Sequence, residues 1–98
     1  MASTKEYLDY VLEQLSALEC VSSRAMMGEY VLYYRGTVVG GVYDDRFLLK
    51  RTPSALALMP DAPEDIPYPG AKAMLVADVD DAEKCCRAVE AIANDLSI

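Results

Sequence analysis

"MMGEYVLYYRGTVVGGVYDDRFLLKRT", residues 26–52, decides how the chain folds. It holds four of the seven tyrosines, four of the five glycines and the single phenylalanine. Tyr30 to Tyr34 is a run of aromatic and branched residues, the composition of a strand. Arg35-Gly36 fits a two-residue turn. Val38 to Tyr43 makes the next strand, Asp44-Asp45 the next turn, and Arg46 to Arg51 closes an antiparallel meander. Two-residue loops at both turns would set Tyr33 opposite Val38 and Val42 opposite Phe47. One side then collects Val31, Tyr33, Val38, Val42, Phe47 and Leu49, with Gly40 leaving room for a helix. The other collects Tyr30, Leu32, Tyr34, Val39 and Leu48, with Gly41 and Lys50 among them. Both sides are apolar, whereas a sheet wetted on one side alternates with polar residues. Either helices cover both faces, or the second face meets a partner chain. A one-residue shift would reshuffle both sets, because side chains alternate with period two.

Outward from the meander, residues 22–27 read as a short strand, with Gly28 allowing a kink or bulge before the next. Upstream lies a helix. Ser3 and Glu6 form a capping box, and Tyr7, Leu8, Val11, Leu12, Leu15 and Leu18 make one apolar stripe. Downstream, Thr52-Pro53 starts a short helix through Met59. Residues 60–70, "PDAPEDIPYPG", carry four of the five prolines. Proline cannot donate to a ladder, so this stretch is expected as an extended surface loop. Strand character returns from Lys72 to Val79. Asp80 and Glu83 then mark a last helix with Cys85, Val89, Ile92 and Leu96 on its apolar stripe. The order α-β-β-β-β-α-β-α predicts an α+β fold, a two-layer antiparallel sheet of about five strands with flanking helices.

The 98 residues predict one domain spanning 1–98, with 53% apolar side chains and enough core for a soluble globular protein. No apolar run reaches the ~20 residues that span a bilayer. The start, Met1 to Glu6, lacks the pattern of a secretory leader. Three cysteines make no disulfide framework, and a cytoplasmic location is expected.

Charge is uneven. The net charge is -7, yet residues 22–52 carry five basic and three acidic side chains and stand at +2. Arg24, Arg35, Arg46, Lys50 and Arg51 are therefore the candidate anion contacts. The acidic body repels a polyanion, and Lys50 and Arg51 alternate in direction along the strand, so direct nucleic-acid binding is the alternative rather than the leading reading.

The residues for catalysis are sparse. Histidine is absent, removing the commonest general base and metal ligand. No nucleophile elbow, phosphate loop, dinucleotide fingerprint or zinc-protease motif occurs. Cys85 and Cys86 point roughly 100° apart on a helix, and Cys85 belongs to the apolar stripe. Asp44-Asp45 and the run Asp78, Asp80, Asp81, Glu83 fit turns and helix caps better than a calcium loop. No enzyme activity, cofactor or metal is expected.

"RAMMGEYVLYYRGTVVGGVYDDRFLLK", Arg24 to Lys50, resembles the core of the TfoX/Sxy N-terminal domain family. Met26, Gly28, Tyr30, Tyr33, Gly36, Asp44, Leu48 and Lys50 carry the match. The opening helix and "TPSA" at Thr52 to Ala55 extend it over nearly the whole chain. Met27 stands where phenylalanine is usual, and Glu29 where glycine is usual. The family takes its name from regulators of natural competence, in which a second domain follows this one. The resemblance implies a two-layer α/β fold, no catalytic residues, and a regulatory or interaction role beside the transcription machinery. The two apolar sheet faces add the expectation of a protein partner, a second copy included, with Tyr30, Leu32, Tyr34, Val39 and Leu48 as the candidate contacts. A small-ligand pocket beneath the proline-rich loop is a further alternative.

Overall fold

Three tight turns set the frame. In the computed structural model, which describes residues 3–97, β1 (Val21–Met26), β2 (Glu29–Tyr34), β3 (Thr37–Tyr43) and β4 (Arg46–Leu49) form successive antiparallel hairpins. Met1 and Ala2, part of the start read for a leader, and Ile98 lie outside the described residues. Each hairpin closes through two residues with positive φ: Met27 and Gly28 (52° and 85°), Arg35 and Gly36 (51° and 83°), Asp44 and Asp45 (52° and 53°). That is the turn whose twist matches paired strands, and glycine enters it at little steric cost. Gly28 thus serves a turn, not the expected kink.

Both expected cross-strand pairs form: Tyr33 with Val38, and Val42 with Phe47. They nevertheless lie on opposite faces. A bulge inserts Val39 between the pairs Tyr33–Val38 and Leu32–Gly40, shifting the register. Past a bulge the alternation slips by one, so the two faces read from the sequence exchange members. Gly40 sits at this bulge, where an added Cβ would lie 2.1 Å from the Leu48 carbonyl oxygen and 2.9 Å from Leu49 Cα. Its missing side chain makes room for the backbone of β4 rather than for a helix.

After β4 come α2 (Pro53–Leu58), β5 (Glu64–Asp65), β6 (Met74–Val76) and α3 (Ala82–Leu96); α1 (Lys5–Gln14) precedes the meander. The six strands lie in the order β1-β2-β3-β4-β6-β5, all antiparallel. The fold is α+β with an open sheet and three helices, one strand more than expected. The extra strand is β5, two residues inside the proline-rich stretch. Proline is tolerated there because β5 is a sheet edge, pairing only with β6.

All three helices pack on one face. Leu8, Val11 and Leu15 of α1, Ala55 of α2, and Cys85, Ala88, Val89 and Ile92 of α3 join Leu32, Tyr34, Val39, Val42, Phe47, Leu49 and Leu75 in a single core. Burying a side chain such as Phe47 contributes roughly 2 kcal/mol. The opposite face is covered in part by the loop between β5 and β6: Tyr68 leans on Tyr43 with ring centroids 6.3 Å apart. Under that cover Val31, Tyr43 and Leu48 are buried.

The helix caps follow from sequence, with two changes. Thr4, not Ser3, caps α1, its Oγ1 accepting from Tyr7 N at 3.2 Å. Thr52 caps α2 as expected, and Asp81 rather than Asp80 caps α3, its carboxylate accepting from Lys84 N. Ser3 is occupied elsewhere. Its backbone N and its Oγ donate to Glu29 Oε1 at 2.8 and 2.7 Å, and its Oγ accepts from Asp45 N at 3.1 Å. Glu29 Oε2 accepts from Asp44 N at 2.9 Å, so one carboxylate ties the chain start to the β3–β4 turn.

Candidate interaction surface

Of the five apolar residues suggested as partner contacts, four are buried inside the protein and Tyr30 is half-buried against its core. Leu32, Tyr34 and Val39 belong to the helix-covered core, with Tyr30 packed against it, and Leu48 is fully buried on the other face. The physical reason is that the helices cover the face holding Tyr30, Leu32, Tyr34 and Val39, while the bulge moves Leu48 to the other face, beneath the β5–β6 loop. Leu32, Tyr34, Val39 and Leu48 therefore serve the fold and are not open to a partner.

The five basic residues do not gather. Arg46 forms an ion pair with Asp65 of β5, and Arg51 Nε bonds Glu64 Oε2 at 3.1 Å. Arg35 sits in the β2–β3 turn with its guanidinium carbon 5.4 Å from the Tyr34 ring centroid. Lys50 borders a cavity of about 470 Å³ between the sheet and the β5–β6 loop, together with Val31, Val38, Tyr68, Lys72 and Met74. Arg24 is exposed on β1, three strands away from β4, or about 14 Å. Two of the five charges are thus answered by β5, and the others point to different neighbourhoods.

The acids have local duties. Asp78 accepts from Asp80 N, Asp80 accepts the Tyr10 hydroxyl, and Asp81 accepts from Lys84 N. Asp95, near the end of α3, accepts from Ser54 N and Ser54 Oγ at 2.9 and 2.7 Å; these bonds hold its carboxyl below the usual range. Among the thiols, burial above all, and then the charge of Asp81, push Cys85 up to about 12. Its Sγ donates to the Asp78 carbonyl at 3.2 Å, so it is a protonated core side chain. Cys86 is shifted upward by burial too, whereas Cys20 is exposed.

What the surface offers lies at one end of the loop-covered face. Met26 and Met27 of the first hairpin, Pro67, Tyr68 and Pro69 of the loop, and Tyr43 between them line a mainly apolar cleft of about 540 Å³, to which Glu29 adds a charged side chain. Met27 is 98% exposed, Tyr68 54% and Met26 45%, unusual for side chains of this size. The cleft exists because the hairpin turn and the proline-rich loop both project beyond the sheet. The Tyr43 ring forms its floor, folded back over Gly41, where an added Cβ would meet Tyr43 Cε2 at 2.7 Å. Sequence reading missed the cleft: its two walls are some forty residues apart and meet only once the sheet has formed. The signal available was the pair of adjacent methionines where a strand runs into a turn, a place in which apolar side chains have no core to join.

Beside the cleft lies the second feature, the edge of β1. All its residues except the half-buried Val21 are exposed. Strand β2 pairs on one side of it, and no described residue pairs on the other. No helix of the described residues is long and apolar enough to cross a membrane.

Comparison with known proteins accords with this architecture. The chain is 38% identical over 78 residues to an uncharacterized 12.7 kDa protein encoded in the trpE 5' region of Spirochaeta aurantia, covering 80% of this chain and 68% of that one. The family model of the TfoX N-terminal domain matches residues 13–95, from the end of α1 into α3. The chain belongs to the TfoX N-terminal domain family.

Proposed function

We propose that the chain is a non-enzymatic regulatory domain of the competence-regulator kind, acting in the cytoplasm by binding another protein. The observation that carries the reading is the Met26–Met27–Tyr68 cleft. Large apolar side chains gathered at a surface mark interaction sites more often than scattered ones do. Family membership supports a regulatory setting, and the distribution of charge favours a protein over a nucleic acid as partner.

The test is proximity labelling in cells that express the native chain, the cleft variant Met27→Asp, or a surface control. Met27 is almost wholly exposed, so the change leaves the fold intact. The expected result is a set of neighbours lost with Met27→Asp and kept with the control. An identical set for both variants would contradict the reading. Fluorescence anisotropy with random duplex DNA at about 50 and about 200 mM salt addresses the alternative, because phosphate contacts weaken steeply over that range. Tight, salt-sensitive binding would shift the reading to nucleic acid.

A small-ligand reading has its own observation, the cavity of about 470 Å³ with Lys50 and Lys72 at an apolar floor. Such a lining suits an aromatic carboxylate or phosphate. A thermal-shift panel of such anions tests it, with stabilisation lost in Lys50→Met as the supporting result.

A further inference from the structure

Backbone pairing shows how a partner would be held. The β1–β2 hairpin closes on the pair Met26–Glu29, and at the other end of β1 the Cys20 carbonyl accepts from Arg35 N at 3.0 Å. In an antiparallel ladder alternate residues turn their N–H and C=O toward the same neighbour. Cys20, Ser22, Arg24 and Met26 therefore bond to β2. Val21, Ser23 and Ala25 direct theirs outward, where no described residue receives them. Six residues without proline, flanked by exposed side chains, form a template for one more strand.

The side chains on that template are specific. Ser22, Arg24 and Met26 share the face that carries the apolar cleft. Arg24 has no ion pair or side-chain hydrogen bond with any described residue, and Met26 stands in the cleft wall. We propose that β1 receives an extended segment of a partner protein by antiparallel strand addition. That segment carries an apolar residue beside Met26 and, two positions later, an acid beside Arg24. Main-chain bonds supply the attachment and alternate side chains the selectivity. This rests on the protein-binding reading and specifies its geometry. A second copy answers these features poorly. Strand β1 contains no acid to meet Arg24, and two chains of net charge -7 repel each other.

The probe is a fluorescein-labelled peptide, Thr-Val-Thr-Leu-Thr-Glu-Thr-Thr-Thr, whose antiparallel register sets leucine by Met26 and glutamate by Arg24. Titrated with the native chain, its anisotropy rises to saturation. Lysine in place of the peptide glutamate weakens binding roughly fivefold, the size of a cross-strand charge pair. Ser23→Pro removes an outward N–H without touching the β1–β2 ladder, leaves the circular dichroism unchanged, and weakens binding about tenfold or more. Arg24→Glu, which depends on no proline, reverses the preference so that the lysine peptide binds better. Absence of saturable binding up to about 1 mM, or equal binding by native and Ser23→Pro chains, overturns the proposal. So does a doubled solution mass that Ser23→Pro returns to monomer, which would assign the edge to a second copy. If partners in cells are lost with Met27→Asp but kept with Ser23→Pro, strand addition fails while the protein-binding reading stands.

Discussion

Strands β1 and β3 lie two places apart in the same sheet, and the molecule treats them oppositely. From Val39 to Tyr43 every residue of β3 is buried, between helices on one face and the proline-rich loop on the other. In β1 only Val21 is even half-buried. A central strand is held by packing, so its substitutions are read as stability. An uncovered strand is held by one ladder, and its substitutions leave the fold alone and act on whatever binds there. The difference separates the residues that build this domain from those free to work for it.

The other edge of the sheet sharpens the contrast. Strand β5 has two residues, lies among four prolines, and has both its acids paired with arginines. Short, charged, proline-flanked edges resist further pairing. Strand β1 has none of these protections except the single charge of Arg24.

The largest effect should come from Gly40→Ala in β3. Its Cβ would press into the β4 backbone, which cannot move without breaking the ladder, and a loss of roughly 3 kcal/mol is expected in urea denaturation. An unaltered midpoint would mean that the bulge is not rigid. Next comes Glu29→Ala. It removes the acceptor of Ser3 N, Ser3 Oγ and Asp44 N, so the chain start and the β3–β4 turn lose their common anchor. A loss of about 2 kcal/mol is expected, with faster proteolysis near Ser3 as a second readout.

Acid should produce a smaller change. The carboxyls of Asp95 and Asp65 are held low, Asp95 chiefly by Ser54 and Asp65 by Ile66 N and Arg46. A folded-state value below the unfolded one contributes stability above the unfolded value, near 3.8, and loses it as pH falls through the lowered one. In Asp95→Asn the acid-induced drop in melting temperature should therefore be shallower than in the native chain as the pH falls below the unfolded value near 3.8. The smallest effect belongs to β1. Ser23→Ala should stay within about 0.5 kcal/mol of the native chain, since its side chain touches no core. A larger loss would place β1 with β3.

Much of this was legible in the sequence. The three helices, the four-strand antiparallel meander and two of the tight turns followed from periodicity, caps and turn residues. Asp44-Asp45 and Arg35-Gly36 each gave the two-residue loop expected. The faces were not legible. Nothing in "TVVGGVY" announces that Val39 will be the extra residue of a bulge, because the bulge is fixed by how β3 meets both β2 and β4. Everything past it changed sides, and four of the five suggested contacts proved to pack with the helices. Strand β5 was hidden because its pairing is purely tertiary, overriding the composition around it. Glu29 read only as a departure from the family pattern, and its use became visible once Ser3 and Asp44 were brought to it. The strand character of residues 22–27 was legible too, and "SSRA" at its centre hinted at solvent on both sides.

The most direct test of the open edge is residue-resolved amide hydrogen exchange on the free protein. Val21, Ser23 and Ala25 should exchange rapidly, Ser22 and Arg24 between them more slowly, and Val42, Phe47 and Leu48 slowest of all. An alternation of fast and slow amides along β1 is the predicted result. Uniform protection from Val21 to Met26 would mean that the edge is already covered, and would contradict the account.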